Sequence, residues 1–346
     1  MYRLRFFIPA LLFFASSAEA HVKWFFVGAR PPFDWATVFS PLTLIFVAAV
    51  VLIVLGLGLW QRSRGGVGLL PTLAWFGALP ERRMALYGLI PAILAVHFAV
   101  PLFVASVQGN LFAPAQKLPG AWAYFIGLLQ AGIALALFYG GFTRAAGVVL
   151  AWLWLMSIAF VGVEGALDNA HVLGFAVFFY LAGRGPIAID RLILPRFEPD
   201  PNLMRYAVTA LRIGVGIGLM SAAFSEKLGN PALAVAFLGQ QPLNFTAALG
   251  LAMPNEIFVR FAGSVELLVG LCLVCNVFTR EIILVAWIPL NLTLTIFDWN
   301  ELVGHLPIYG TMAVLLIWEN SSQNTELWLR GLREGPLPIP APLKSG

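Results

Sequence analysis

Long apolar runs separated by short polar connections dominate the chain. Nine apolar stretches stand out, at about 41–60, 84–106, 121–141, 146–163, 170–183, 206–224, 257–276, 282–297 and 304–318. Several fall short of the roughly 20 residues that a spanning helix needs, the fifth and eighth most clearly. Short helices joined by "EGALDN" or "DWNE" suggest polar connections sunk into the protein on one side. Backbone there must be satisfied by protein or trapped water, since lipid offers no partner. The pattern predicts an all-α membrane protein with about nine transmembrane helices.

Composition sharpens this picture. Of 346 residues, 60% are hydrophobic and only 11% charged, and the mean hydropathy is +0.86. A soluble domain carries about twice that charge. The pI of 9.3 does not point to nucleic acid, because the basic residues are dispersed in short loops. Two cysteines exclude a disulfide framework. Cys272 and Cys275 form a C-x-x-C inside an apolar run, a setting that reads as packing, because redox pairs of this spacing sit at exposed helix starts.

The first twenty residues, "MYRLRFFIPALLFFASSAEA", read as a secretory signal: a basic start, a short apolar core and a small-x-small cleavage pattern. Cleavage after Ala20 would leave His21 as the first mature residue, in "HVKWFF", whose aromatic residues read as an interfacial anchor. An uncleaved anchor is the alternative. With His21 outside, Arg62, Arg64, Arg82, Arg83, Arg144, Arg184, Arg191, Arg196, Arg205, Arg280, Arg330, Arg333 and Lys344 fall in the cytoplasm. Lys23, Arg30, Lys117, Lys227 and Arg260 are left on the other side. Signal and charge bias agree on a bacterial inner-membrane location, with the N-terminus periplasmic and the C-terminus cytoplasmic.

The chain also echoes itself. "GGFTRAAGVVLAW" at 140–152 is matched by "NVFTREIILVAW" at 276–287, and each continues to an acid with a histidine seven residues later. These pairs are Glu164 with His171 and Asp298 with His305, and Gln130 falls where Glu266 falls. The expected organisation is a signal (1–20), an exterior segment and first span (21–64), a four-helix unit (84–183), a cytoplasmic linker (184–205), a second four-helix unit (206–318) and a tail (319–346). Both units begin at the cytoplasmic face, making a parallel repeat.

The second unit resembles the DoxX group of small four-helix membrane proteins. The likeness rests on "ALRIGVGIGLMSAAFSEKLGN", with Arg212, Glu226 and Lys227, and on "FAGSVELLVGLCLVCNVFTR", with Glu266 and Gly270. The first unit keeps "FTR" but lacks counterparts of Arg212 and Glu266. The resemblance implies association with membrane redox systems, including a subunit of thiosulfate–quinone oxidoreductase and partners of oxidative-stress enzymes.

The candidate chemistry falls into two sets. Arg212 and Glu266 sit within helices at depths that allow a salt bridge; this reads either as an ion pair fixing helix register or, with Glu226 and Lys227, as a proton or quinone-headgroup site. The second set is Glu164, Asp168 and His171 with Asp298, Glu301 and His305. Imidazole with carboxylate suits a divalent metal or a proton relay, whereas Asp168 and Asn169 are equally placed to cap the fifth helix. A mature N-terminal His21, offering its α-amine and Nδ1, could join His97, His171 or His305 in a copper site. The apolar connection 226–256 is expected to form short surface helices that cover the outer site. The functional expectations are therefore a redox subunit working with quinone and a periplasmic or membrane partner, a copper-handling protein, or a non-catalytic scaffold.

Overall fold

The structure, a computed structural model, describes residues 22–183, 185–194, 199–297, 299–318 and 322–334. The signal segment with His21, and Asp298, lie outside the described residues. Ten helices carry the architecture: α1 (Pro41–Ser63), α2 (Pro80–Gln108), α3 (Ala121–Tyr139), α4 (Thr143–Asp168), α5 (Ala170–Ala182), α6 (Ala207–Ala222), α7 (Asn255–Cys275), α8 (Thr279–Leu294), α9 (Trp299–Ile317) and α10 (Ser322–Glu334). No strand occurs among the described residues. The first nine helices fall on the nine apolar stretches in order. Seven spans, among them α1–α4, α7 and α9, are long and apolar enough to cross a membrane; the other is Pro201–Leu228, which contains α6. At 13 and 16 residues, α5 and α8 fall short of that length. The chain is thus an all-α, multi-pass membrane protein.

Helices α2 to α9 form a closed ring in which each packs on the next and α9 returns to α2. α1 lies outside against α7, and α10 lies against α2. The outer position of α1 explains its composition: Ile45, Leu52 and Leu59 are all about two-thirds exposed, which only a lipid surround makes favourable. Two ends of the ring can be told apart. One carries Arg82, Arg83, Arg144, Arg191, Arg280 and Arg333, and we call it the arginine end; the opposite, acid end carries Glu164, Asp168, Glu226 and Glu301.

The most extensive pairing joins α5 to α6, so the two expected units interlock across their boundary. Glycine makes it possible. A Cβ on Gly174 would lie 2.9 Å from the Ala210 carbonyl oxygen, and one on Gly214 would lie 2.9 Å from the Cα of Gly174. Small residues allow such backbone contact in membranes, where dispersion replaces the hydrophobic drive. Replacing Gly214 by valine is expected to cost about 1–3 kcal/mol, because the obstacle is backbone that cannot rotate away. Thermal unfolding in detergent measures this, and an unchanged midpoint would show the contact to be dispensable.

The echoed "FTR" segments make matching turns. Gly140 (φ 73°) and Phe142 (φ 53°) before α4 are both left-handed, as are Asn276 (φ 57°) and Phe278 (φ 41°) before α8. A left-handed phenylalanine is unusual and requires local compensation. Asp190 accepts hydrogen bonds from the Phe142 and Thr143 N–H groups at 2.5 and 2.9 Å, and the Gln61 side chain accepts one from Phe278 at 3.1 Å.

Candidate functional site

The acid end is closed by a second, smaller apolar cluster. Val22 is fully buried with Leu233, Phe237, Phe258 and Val259, and Phe25 stacks on Phe297 at 4.5 Å. The connection 226–256 does form short helices, Pro231–Gln240 and Phe245–Leu249, and the first of them packs on the segment Val22–Phe25. Phe25 and Phe26, both half-buried, pack against this cluster, where the apolar surface of the 231–240 helix and Phe297 gives them partners.

Threading this segment into the ring delivers Lys23 to the acids. Its Nζ donates to Glu164 Oε1 and Asp168 Oδ2, both at 2.7 Å, and to Ser225 Oγ at 2.8 Å. Asp168 Oδ1 also accepts from Ser221 Oγ at 2.6 Å and Ser225 Oγ at 3.2 Å. Burial alone would lower the Lys23 pKa. The charges of Asp168 and Glu226, with the hydrogen bonds to Asp168 and Glu164, outweigh that and raise it above its ordinary 10.5. Lys23, Glu164 and Asp168, with Arg30, Gln116, Asn169, His171 and Glu226, line a cavity of about 320 Å³.

Glu164 reaches that cavity because α4 breaks before it. Gly162 has φ 73° and ψ 177°, a conformation open essentially to glycine. The Trp154 indole then donates to the Ala166 carbonyl at 2.9 Å and holds the final turn. Capping by Asp168 is not what the structure shows. Asp168 ends α4, its carboxylate turns to Lys23, Ser221 and Ser225, and Asn169 makes no side-chain cap bond at α5. Three outside donors outcompete one helix terminus.

At its acid end α6 widens into a π turn, Ala223–Leu228. Such turns recur at functional sites because the extra residue re-aims successive side chains. Here Glu226 accepts the Val22 N–H at 2.8 Å on the cavity side, while Lys227 turns to α7 and meets Glu266 Oε1 at 2.8 Å. Lys227 Nζ is also 3.8 Å from Glu226 Oε2, and both residues are 1% exposed. Gly263 makes room, since a Cβ there would lie 2.8 Å from that of Lys227.

The expected Arg212–Glu266 bridge is therefore not formed. Arg212 donates instead to the Leu273 and Val274 carbonyls at the last turn of α7, the latter at 3.0 Å. A helix C-terminus presents unpaired carbonyls and partial negative charge, which a guanidinium satisfies well. Gln130, aligned with Glu266, donates to the Leu111 carbonyl, so the two positions do different work.

Glu266 borders a second space, a narrow apolar cleft of about 60 Å³ between α6, α7, α8 and α9. Its walls include Leu219, Val269, Pro289, Leu290 and Met312, and His305 is its other titratable side chain. His305 and Glu301 sit one turn apart on α9 with Nδ1 3.3 Å from Oε1. The Trp24 ring lies 5.2 Å from that of His305 and also lines the acid cavity, so it stands between the two spaces. His97 lies elsewhere, bonded through Nδ1 to the Ile93 carbonyl at 2.8 Å and packed at Gly310.

Among the candidates, the structure brings Glu164, Asp168, His171 and Glu226 to one cavity, and Glu266 and His305 to one cleft. Among the described residues no group of three histidine, cysteine, aspartate or glutamate side chains is placed to hold a metal ion. Sequence reasoning missed Lys23, Trp24, Ser221 and Ser225. Their one sequence trace is a lone cation in "HVKWFF" and two serines four apart beside "EK". Fold and site together define a multi-pass helical membrane protein with buried ion pairs at one end. No family model, curated protein or solved structure matches the chain.

Proposed function

We propose that this chain is a bacterial inner-membrane subunit of a quinone-linked redox system, similar in kind to the DoxX group. In this reading α5 and α8 are short spans that bring the total to nine, after signal cleavage the N-terminus is periplasmic, and α2–α5 and α6–α9 are tandem units. One observation carries the reading: the series of buried Glu226, buried Lys227 and partly buried Glu266 runs from the polar cavity to an apolar cleft that also holds His305. Quinone chemistry needs such an arrangement, with an apolar slot for the ring, hydrogen-bonding groups at its carbonyls and a route for protons. Glu266 and His305 would hold a quinol there, and its oxidation would supply two electrons to a redox centre on a partner protein and two protons, for which Glu266, Lys227 and Glu226 would offer a path to the polar cavity.

The donor chemistry of Glu266 and His305 fits a quinone ring, but 60 Å³ is well below the roughly 300 Å³ of a small-molecule site. α8 must swing outward. It is the lining helix best suited to do so, being short and carrying Pro289 in its middle.

A photoreactive azidoquinone tests this on the full chain in lipid nanodiscs. Labelling is expected on α8 and α9 near Leu290 and Met312, competed by unlabelled quinone. Glu266→Ala with His305→Ala should weaken it by roughly fivefold for each hydrogen bond lost. Labelling that no quinone competes would leave the ion pairs to a scaffold role.

A further inference from the structure

We infer that the arginine end carries a binding site for the phosphodiester headgroup of an anionic phospholipid, in a cavity between the start of α4, the end of α5 and α10. The cavity has a volume of about 390 Å³ and is lined by Arg144, Arg191 and Arg333 with one acid, Asp190. Asp190 is committed to the turn before α4, where it accepts from the Phe142 and Thr143 N–H groups. Among the described residues, three arginines and one carboxylate line this space, so positive charge is in excess there. A phosphodiester with two non-bridging oxygens is an anion that arginine forks match bidentately.

The position of the cavity selects a lipid over a free anion. Val148, five residues into α4, and Tyr180, near the end of α5, both line it, and they are 54% and 50% exposed. These two side chains lie on the outer surface of the ring, so the cavity opens sideways toward acyl chains as well as toward water. Phe142 continues that apolar rim at 63% exposure. A tyrosine at such a boundary is typical of the headgroup level. The far wall is fixed: α10 buries Trp328 and Leu332, and the Arg191 guanidinium donates to the Arg333 carbonyl. Basic pockets between spanning helices bind acidic headgroups by this combination of charge and depth.

The inference is independent of the quinone reading, and native mass spectrometry of the full chain tests it. The protein is released from nanodiscs containing phosphatidylglycerol and phosphatidylethanolamine in equal parts. Phosphatidylglycerol should remain bound preferentially, and the Arg144→Gln/Arg333→Gln variant should retain it roughly thirtyfold less, reflecting two basic contacts. Arg62→Gln/Arg64→Gln, at the same end but outside the cavity, should behave as wild type. If the glutamine variant does not fold, Arg144→Lys/Arg333→Lys keeps the charge and loses the fork, and should still retain less lipid. A separate arm adds inorganic phosphate to delipidated protein and reads thermal protection. Protection by phosphate equal to that by phosphatidylglycerol would assign the cavity to a free anion and overturn the lipid reading. Equal retention of the two lipids, or unchanged retention in the lysine variant, would overturn it as well.

Discussion

Lys227→Met is expected to destabilise the protein by about 3–5 kcal/mol, the cost of removing one partner from a buried ion pair. Lys227 is 1% exposed, with Nζ 2.8 Å from Glu266 Oε1 and 3.8 Å from Glu226 Oε2. Methionine fills much the same volume, so the loss comes from two carboxylates left facing each other across the space the ammonium held. The Val22 N–H bond to Glu226 does not replace a full charge. The triple variant Glu226→Gln/Lys227→Met/Glu266→Gln should recover most of the loss, since it removes the desolvation cost of all three ions together. Unfolding midpoints in one detergent, compared across the set, measure both effects. A single variant within about 1 kcal/mol of wild type would mean the three residues do not act as a unit. The triple variant also separates stability from function: folded and stable, yet without competed quinone labelling, it would give the ions a role beyond packing.

These charges were visible in the sequence, but their partners were not. The apolar runs located the helices well, and two of them close on a residue that stops a helix: the run at 121–141 closes at Gly140 with φ 73°, and that at 257–276 at Asn276 with φ 57°. The short fifth and eighth runs were likewise legible as short helices. Glu301 and His305, four apart, meet on one helix as that spacing requires. The failures share a cause. Depth along a helix does not say which neighbour a long side chain reaches, so Arg212 was matched to Glu266 when the carbonyls of Leu273 and Val274 lay within its reach. Asp168 suited a local cap, but its partners are Ser221, 53 positions away, and Lys23, 145 positions away. Contacts over such separations leave no periodic trace. Lys23 itself looked like an ordinary exterior charge, because nothing in "HVKWFF" shows that an apolar lid will fold over it.

Lys23→Met should therefore cost about 2–3 kcal/mol, below the figure for a fully buried pair because Glu164 remains half exposed. Lys23 bonds at once to the end of α4 and to the π turn after α6, tying the N-terminal segment to both. Removing its charge leaves Glu164, Asp168 and Glu226 around a common cavity. The pH dependence gives the sharper test. The folded protein raises the Lys23 pKa above its ordinary 10.5, so the stability it contributes is fully present below 10.5 and fades as pH climbs through the higher folded value. Wild type should lose stability there, as the ammonium gives up its proton and the acids lose their cation. Lys23→Met has no such proton to lose and should show a flatter curve over the same range, converging on wild type at the alkaline end. Unfolding midpoints from pH 7 to pH 11 measure this, and parallel curves would detach Lys23 from the acids. Convergence would establish that the Lys23 ammonium is what ties the N-terminal segment to the acids of this cavity.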